Sequence, residues 1–317
     1  MGCCQSKGAD SKANRIARWR STGIVALRDA KLKASHLPLL VLFCFFDPVI
    51  CNSRFMLIGY SNVMPYWMKT HGCSSIGGFL HLFNCVSADT FPDEVLELDR
   101  SVRTLDLTHN KLVEIPVDIS NLVNMQRLIL ATNLIERLPI NIGKLQSLKV
   151  MILDGNQITS LPDELGQLVR LEKLSISGNM LMSLPETIGS LRNLSLLNAS
   201  NNRLKYLPES VGSCFSLEEL QANDNLIEEL PASVCNLVHL KSLCLNNNKV
   251  SQIPPNLLRD CKALQNISLH GNPISMDQFQ QMEGFQEFEA RRKKKFDKQI
   301  DSNVMIGSNG LDEGVDL

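Results

Sequence analysis

Aromatic residues are scarce, with two Trp, three Tyr and twelve Phe in 317 residues. Excess charge of one sign is missing too, since 32 Lys and Arg face 33 Asp and Glu for a net charge of -1. Phosphate binding needs clustered positive charge, so no nucleic-acid partner is expected. Ten cysteines are too few and too irregularly spaced for a disulfide scaffold. The chain has no Gly-rich phosphate loop, no G-x-S-x-G, no H-E-x-x-H and no paired C-x-x-C. An enzyme is therefore not expected, nor catalytic residues, a cofactor or a metal site. The N-terminal region lacks the long apolar core and small-residue cleavage site of a secretory signal, which points to the cytosol and to reduced thiols. Apolar residues make up 44%, which excludes wholesale disorder.

What the chain does have is a ruler. Asn110, Asn133, Asn156, Asn179, Asn202, Asn225 and Asn248 follow one another at 23-residue steps, and Asn272 comes after 24. Pro116, Pro139, Pro162, Pro185, Pro208, Pro231 and Pro254 keep the same 23-residue step. Apolar positions share the register: Leu148, Met151, Leu153, Ile158, Leu161, Leu165 and Leu168 in one unit, then Leu171, Leu174, Ile176, Leu181, Leu184, Ile188 and Leu191 in the next. Each unit supplies an L-x-L strand that stacks on its neighbour, because one unit cannot bury its leucines alone. Each fully buried side chain of this kind is worth about 1.5–3 kcal/mol. The Asn follows the strand, where an amide can satisfy backbone groups of the turn. The Leu-Pro step disfavours helix, so the outer side should be extended or carry short 3-10 turns.

The pattern L-x-x-L-x-L-x-x-N-x-L-x-x-L-P resembles the leucine-rich-repeat family in its 23-residue intracellular form, over about residues 90–275. The resemblance implies an α/β-type solenoid with parallel strands on a concave face, an extended or 3-10 convex side and a C-terminal capping helix. It also implies a protein-binding role without catalysis.

The first repeat is interrupted. Residues 22–33 match the second part of a strand and its turn, and the missing Leu-Pro step arrives at Phe91-Pro92. The 56 residues between, 34–89, hold nine of the 17 aromatics but only Asp47, Arg54, Lys69 and Asp89 as charges. Three readings stand: an insertion without a role in the fold, such as a translated intron; an extra loop or small subdomain; or a membrane segment. The apolar run from Leu37 to Ile50 falls short of the roughly 20 residues a spanning helix needs. The expected organisation is a lipidated basic segment 1–21, a cap repeat split between 22–33 and 90–101, the insertion 34–89, the array 102–275, a capping helix 276–300 and a disordered tail 301–317.

The start, Met-Gly-Cys-Cys-Gln-Ser, fits the pattern for myristoylation at Gly2, with Cys3 and Cys4 as palmitoyl acceptors. One acyl chain binds a membrane only marginally, so a second signal is needed. Residues 1–33 also carry eight Lys and Arg against two acids, which would favour an anionic cytoplasmic leaflet. The chain is thus expected on the cytoplasmic face of a membrane, with a cytoplasmic pool. Residues 277–300 read as a helix that places Phe279, Met282, Phe285 and Phe288 on one side. Its Arg291–Lys295 run is either a solvated helix end or a second contact with acidic lipid or an acidic partner. Both ends are similar to the leucine-rich repeat-containing protein 57 group of small lipidated repeat proteins. A broader similarity is to Ras-group leucine-rich-repeat scaffolds, which implies signalling.

Function should lie on the concave face, where the x residues of L-x-L project. The candidate protein-binding residues are Asp106, Arg127, Ile129, Val150, Ile152, Asp154, Lys173, Leu196, Asn198, Glu219, Gln221, Asn223 and Asp224. Ile129, Val150, Ile152 and Leu196 are apolar where solvent is expected, either as ordinary surface variation or as a binding patch. Asp106, Asp154, Glu219 and Asp224 would then form an acidic rim suited to a basic partner. The expected molecule is a monomeric, membrane-tethered adaptor in intracellular signalling. The alternative is a targeting subunit for a small GTPase or phosphatase.

Overall fold

The computed structural model describes residues 12–28, 91–301 and 315–316. Among them run helix α1 (Lys12–Thr22), strand β1 (Ile24–Ala26), helix α2 (Asp93–Leu96) and strand β2 (Thr104–Asp106). Seven further strands follow: β3 (Arg127–Ile129), β4 (Val150–Ile152), β5 (Lys173–Ser175), β6 (Leu196–Asn198), β7 (Glu219–Gln221), β8 (Ser242–Cys244) and β9 (Asn266–Ser268). Helices α3 (Leu257–Asp260), α4 (Met276–Gln280) and α5 (Phe285–Asp301) and a two-residue strand β10 (Val315–Asp316) complete the order. All strands join one parallel sheet in chain order, as the periodicity predicts.

Each repeat builds itself in the same way. The middle residue of each strand (Leu128, Met151, Leu174, Leu197, Leu220, Leu243) is fully buried, whereas the first and third face outward. The proline of each Leu-Pro step is the extended residue that leads into a 3-10 turn, as at Pro162 (φ -71°, ψ 148°) before Asp163–Gln167. Its buried neighbour, here Leu161, fills the core. The two ends differ: Pro92 leads into α2, and the last full unit, with 24 residues, makes α3 after Pro254 instead of a 3-10 turn.

The Asn ladder is structural. Asn179 Nδ2 donates to Leu153 O and Ile176 O, both at 3.0 Å, and its Oδ1 accepts from the Ile158 N–H at 3.0 Å. The same triangle recurs at Asn133, Asn156, Asn202, Asn225 and Asn248, each of them buried.

A second ladder stands one residue earlier. His109, Thr132, Gly155, Gly178, Asn201, Asp224, Asn247 and Gly271 all have φ between 54° and 72°. Gly, Asn and Asp tolerate this left-handed region, but a β-branched residue does not. Thr132→Gly is accordingly expected to raise stability by about 1 kcal/mol, the left-handed penalty exceeding the added chain entropy. Urea denaturation checks this, and a lower midpoint in the variant contradicts it.

The N-terminal cap joins residues on both sides of the interruption. Ile24, Val25 and Ala26 pair with Thr104, Leu105 and Asp106, an offset of 80 residues where β2 and β3 pair at 23. Residues 34–89 lie outside the described residues, as do Gly2, Cys3 and Cys4. Asn110 Nδ2 donates to Leu27 O (2.8 Å) and Leu107 O (2.9 Å), the ladder geometry carried into the split repeat.

The ends require corrections. The basic segment, expected to favour an anionic leaflet, is from Lys12 a helix that closes the array, with Trp19 buried. Lys12 pairs with Glu97 (2.9 Å) and Arg15 with Glu94 (2.9 Å), so these two cations tie α1 to the cap. At the other end the expected single helix is two. Gly284 (φ 86°) separates them, and a Cβ there would lie 2.7 Å from the Arg259 nitrogen. Phe279 and Phe288 are buried against the last repeat, and Phe279 meets Phe285 and Phe288 edge-on at 5.6 and 6.0 Å. Arg291 and Lys295 are not part of a solvated helix end. Arg291 donates to Leu264 O (3.0 Å) and Leu258 O (3.1 Å), and Lys295 donates to Asn266 Oδ1 (2.9 Å). In the tail, expected to be disordered, Val315 and Asp316 pair with Ile267 and Ser268 of β9.

Candidate protein-binding face

The outward residues of β2–β9 form two rows across the sheet. Thr104, Arg127, Val150, Lys173, Leu196, Glu219, Ser242 and Asn266 make the first. Asp106, Ile129, Ile152, Ser175, Asn198, Gln221, Cys244 and Ser268 make the second. Strand pairing therefore places Arg127, Ile129, Val150, Ile152, Lys173, Leu196, Glu219 and Gln221 on one face. Arg127 is exposed and the others are half-buried.

The remaining candidates are engaged within the molecule. Asp106 is 5% exposed and takes an ion pair from Arg28 (2.6 Å) and a hydrogen bond from the Thr108 hydroxyl (2.7 Å). Asp154 Oδ1 accepts from the Ser175 hydroxyl (2.7 Å) and the Ser177 N–H (2.8 Å). Asn198 Oδ1 accepts from the Ser200 N–H (3.1 Å), and Asn223 Oδ1 from the Asn246 N–H (2.8 Å). Asn246 Oδ1 continues to the His270 N–H (2.9 Å), and Asp224 Oδ1 accepts from Asn247 Nδ2 (2.8 Å). These side chains tie each turn to a neighbouring residue or the next repeat. The acidic rim is thus weaker than expected, because Asp106 is buried and neutralised. Several of these links join residues a repeat apart, as Asn246 is from Asn223, and sequence reasoning missed them; those of Asn198 to Ser200 and Asp106 to Thr108 are local to the turn.

Burial alone would raise the Asp106 carboxyl, but hydrogen bonds from Arg28 and Thr108 outweigh it and hold the group below its ordinary value. A depressed carboxyl stabilises the fold above its unfolded value and loses that contribution as pH falls through the folded one. Protection of the β1 amides should therefore weaken as pH falls below about 4. In Asp106→Asn that acid response should vanish, read by hydrogen exchange of Ile24–Ala26. An unchanged acid response in the variant contradicts the assignment.

Burial pushes the Cys214 thiol up to about 11 and the Cys261 thiol up to about 12. His109, His239 and His270 are exposed in separate repeats. Among the described residues, no three His, Cys, Asp or Glu gather as metal ligands, and no helix is long and apolar enough to cross a membrane. The convex side carries an open groove lined by Glu186, Tyr206, Glu209 and Glu229.

Comparisons with known proteins follow this geometry. Three leucine-rich repeat profiles match: "Leucine-rich repeat region" over 141–224, "Leucine rich repeat" over 215–274 and "Leucine Rich Repeat" over 101–122. An internalin (inlF) from Listeria monocytogenes is similar in fold, with a TM-score of 0.54 at 23% identity over 62% of this chain and 56% of its own. The plant peptide hormone receptor RGFR1, solved in complex with RGF2, has a TM-score of 0.53 at 29% identity over 58% of this chain and 30% of its own. Plant intracellular Ras-group-related LRR protein 7 of Oryza sativa subsp. japonica is 66% identical over 317 residues, covering 100% of both chains. Plant intracellular Ras-group-related LRR protein 8 of the same organism is 44% identical over 57 residues, which cover 18% of this chain and 15% of that protein. These matches follow the broader of the two sequence resemblances and do not carry the narrower one, to leucine-rich repeat-containing protein 57. The chain belongs to the leucine-rich-repeat family, among the plant intracellular Ras-group-related LRR proteins.

Proposed function

We propose that the protein is a monomeric adaptor that holds another protein against its concave face while its N-terminus is moored to the cytoplasmic face of a membrane. One observation carries the binding half of this reading. Ile129, Val150 and Ile152 stand side by side on the outward face of β3 and β4, and Leu196 stands on β6 beyond Lys173, all four half-buried where every other apolar strand residue of those repeats is inside. An outward apolar patch of this kind, interleaved and bordered with charge, is a usual mark of an interaction site. RGFR1, a repeat protein of similar fold, was solved with a bound partner, RGF2, which is consistent with that use of the scaffold.

The mooring half rests on sequence. Gly2 would carry the myristoyl group, and Cys3 and Cys4 the palmitoyl groups. With Lys12 and Arg15 paired inside the cap, the basic residues contribute less to membrane contact than their number implies, and the second acyl chain matters more. The same reading gives residues 34–89 no role in the fold, and the in-register pairing of β1 with β2 on either side of them supports it. A second reading, a targeting subunit for a small GTPase, draws support from the words "Ras-group-related" in the name of the rice relative.

Proximity labelling in cells tests both halves. Ile129→Glu/Ile152→Glu should lose the labelled neighbours of the wild type while keeping membrane association. Gly2→Ala should move the protein to the soluble fraction. Neighbours unchanged by the double substitution would contradict the binding site, and a membrane-bound Gly2→Ala protein would contradict the anchor.

A further inference from the structure

The concave face is divided in charge along its length, and the division specifies a partner. In the first outward row, β3 to β6 read Arg127, Val150, Lys173, Leu196: cation, aliphatic, cation, aliphatic. Adjacent strands lie about 4.8 Å apart, so the two cations stand about 10 Å from each other with Val150 between them. The second row adds Ile129 and Ile152 beside them.

The charges around this patch leave it cationic. Just before the strands, Lys149 pairs with Glu172 (2.8 Å) and Lys241 with Glu218 (2.7 Å), so those positions cancel. Arg103, exposed one residue before β2, adds a further positive charge at the N-terminal border. The carboxylate of Asp106 is buried and neutralised by Arg28. Asp154 directs one carboxylate oxygen along the stack to Ser175 and Ser177. Beyond β6 the sign reverses, with Glu219 in the first row and Asp224 in the turn after β7.

We infer that the β3–β6 half of the concave face binds an acidic protein segment that also carries aliphatic residues, its carboxylates meeting Arg127 and Lys173 and its apolar side chains covering Val150, Ile152 and Leu196. This inference rests on the adaptor reading and reverses the basic partner that the sequence alone would favour. Burying the aliphatic row supplies the attraction, and the two cations supply register and exclude basic segments, where like charges would meet. The Glu219 end repels the same segment, which confines it to one half of the face.

Selection from a displayed library of random 12-residue peptides tests the chemistry directly. The full-length wild type should enrich peptides rich in Asp and Glu together with Leu, Ile or Val. Arg127→Glu/Lys173→Glu should enrich Lys and Arg in their place. A selected acidic peptide, labelled for fluorescence anisotropy, should bind the double variant at least tenfold more weakly, and Arg127→Gln/Lys173→Gln should fall between. Thermal melts of the variants verify that they are folded. Lys- and Arg-rich enrichment on the wild type would overturn the inference, as would no enrichment above an unrelated protein or equal binding of the acidic peptide to the double variant. If such a result accompanied loss of cellular neighbours in Ile129→Glu/Ile152→Glu, the adaptor reading would stand and only the charge assignment would fall.

Discussion

Asn179→Ala is expected to lower folding stability by about 3 kcal/mol or more and to split the unfolding transition. The amide is buried in the middle of the array, with its three bonds directed to Leu153 O, Ile176 O and the Ile158 N–H. Alanine orphans the buried Ile158 N–H, whereas Leu153 O keeps Asn156 Nδ2 (2.8 Å) and Ile176 O keeps Asn202 Nδ2 (2.9 Å). The orphaned N–H costs about 1–3 kcal/mol, and each of the two other lost bonds about 0.5–1.5 kcal/mol. The three groups belong to two successive units, so the lost bonds are those that couple units, and stability in a stacked array is a sum of unit and interface terms. A weak interface at the centre lets the two halves melt separately, seen as a broadened or biphasic urea transition. The control is Asn193→Ala, whose exposed amide donates to Val169 O at 2.7 Å and lies open to water. It should cost less than about 1 kcal/mol. Equal losses at Asn179 and Asn193 would mean that the inner ladder is not what holds the units together.

Gly189→Val is expected to cost about 3 kcal/mol, at the upper end for overpacking, through a different contact. Gly143, Gly166, Gly189 and Gly212 form a column on the convex side, where each 3-10 turn rests on the next. A Cβ at Gly189 would lie 2.5 Å from the Ser210 carbonyl oxygen and 2.9 Å from the Ser210 Cβ. The obstruction is backbone, so relief requires the turns to separate. Gly178→Ala supplies the comparison. There the nearest atom to the new Cβ is 3.4 Å away, and the penalty is the positive φ of 65°, about 1–2 kcal/mol. Denaturant titration of Gly189→Ala, Gly189→Val and Gly178→Ala should show the cost growing with side-chain size at the 189 position. A flat response there would contradict close turn-to-turn packing.

Much of this architecture is legible in the residues. Leucine spacing gives the buried strand centres, and Asn and Pro at a common 23-residue step locate the turn and the entry to the 3-10 segment. Cys214 in a leucine slot is buried, as its position implies. What is not legible is what one repeat does to the next. Asp154 and Asn223 look like solvent-facing polar residues along the chain, but stacking brings backbone N–H groups of the next unit within their reach. The helical pattern over 277–300 is continuous in its apolar spacing, yet the chain breaks at Gly284 because Arg259 of the preceding unit lies beneath it. Arg291 belongs to a run of five basic residues, and only the open end of the stack, with the Leu258 and Leu264 carbonyls exposed, shows why it turns inward. The left-handed position before each ladder Asn has a faint sequence signal, since six of its eight residues are Gly, Asn or Asp.

The functional face is harder to read for the same reason. Thirteen candidates follow from strand geometry, and Asp106, Asp154, Asn198, Asn223 and Asp224 then become part of the scaffold's own bonding. Removing them leaves a patch that is aliphatic and cationic at β3–β6 and acidic beyond, a polarity hidden while all the carboxylates were counted as exposed.

On the proposed reading, another protein sits on this patch and not on the convex side. Site-specific photocrosslinking in cells tests it most directly, with a photoreactive residue placed at Ile152 on the concave face or at Glu209 in the convex groove. Covalent protein adducts from position 152 that are absent from position 209, and that disappear with Arg127→Glu/Lys173→Glu, are the predicted result. Adducts from position 209 with none from position 152 would contradict it.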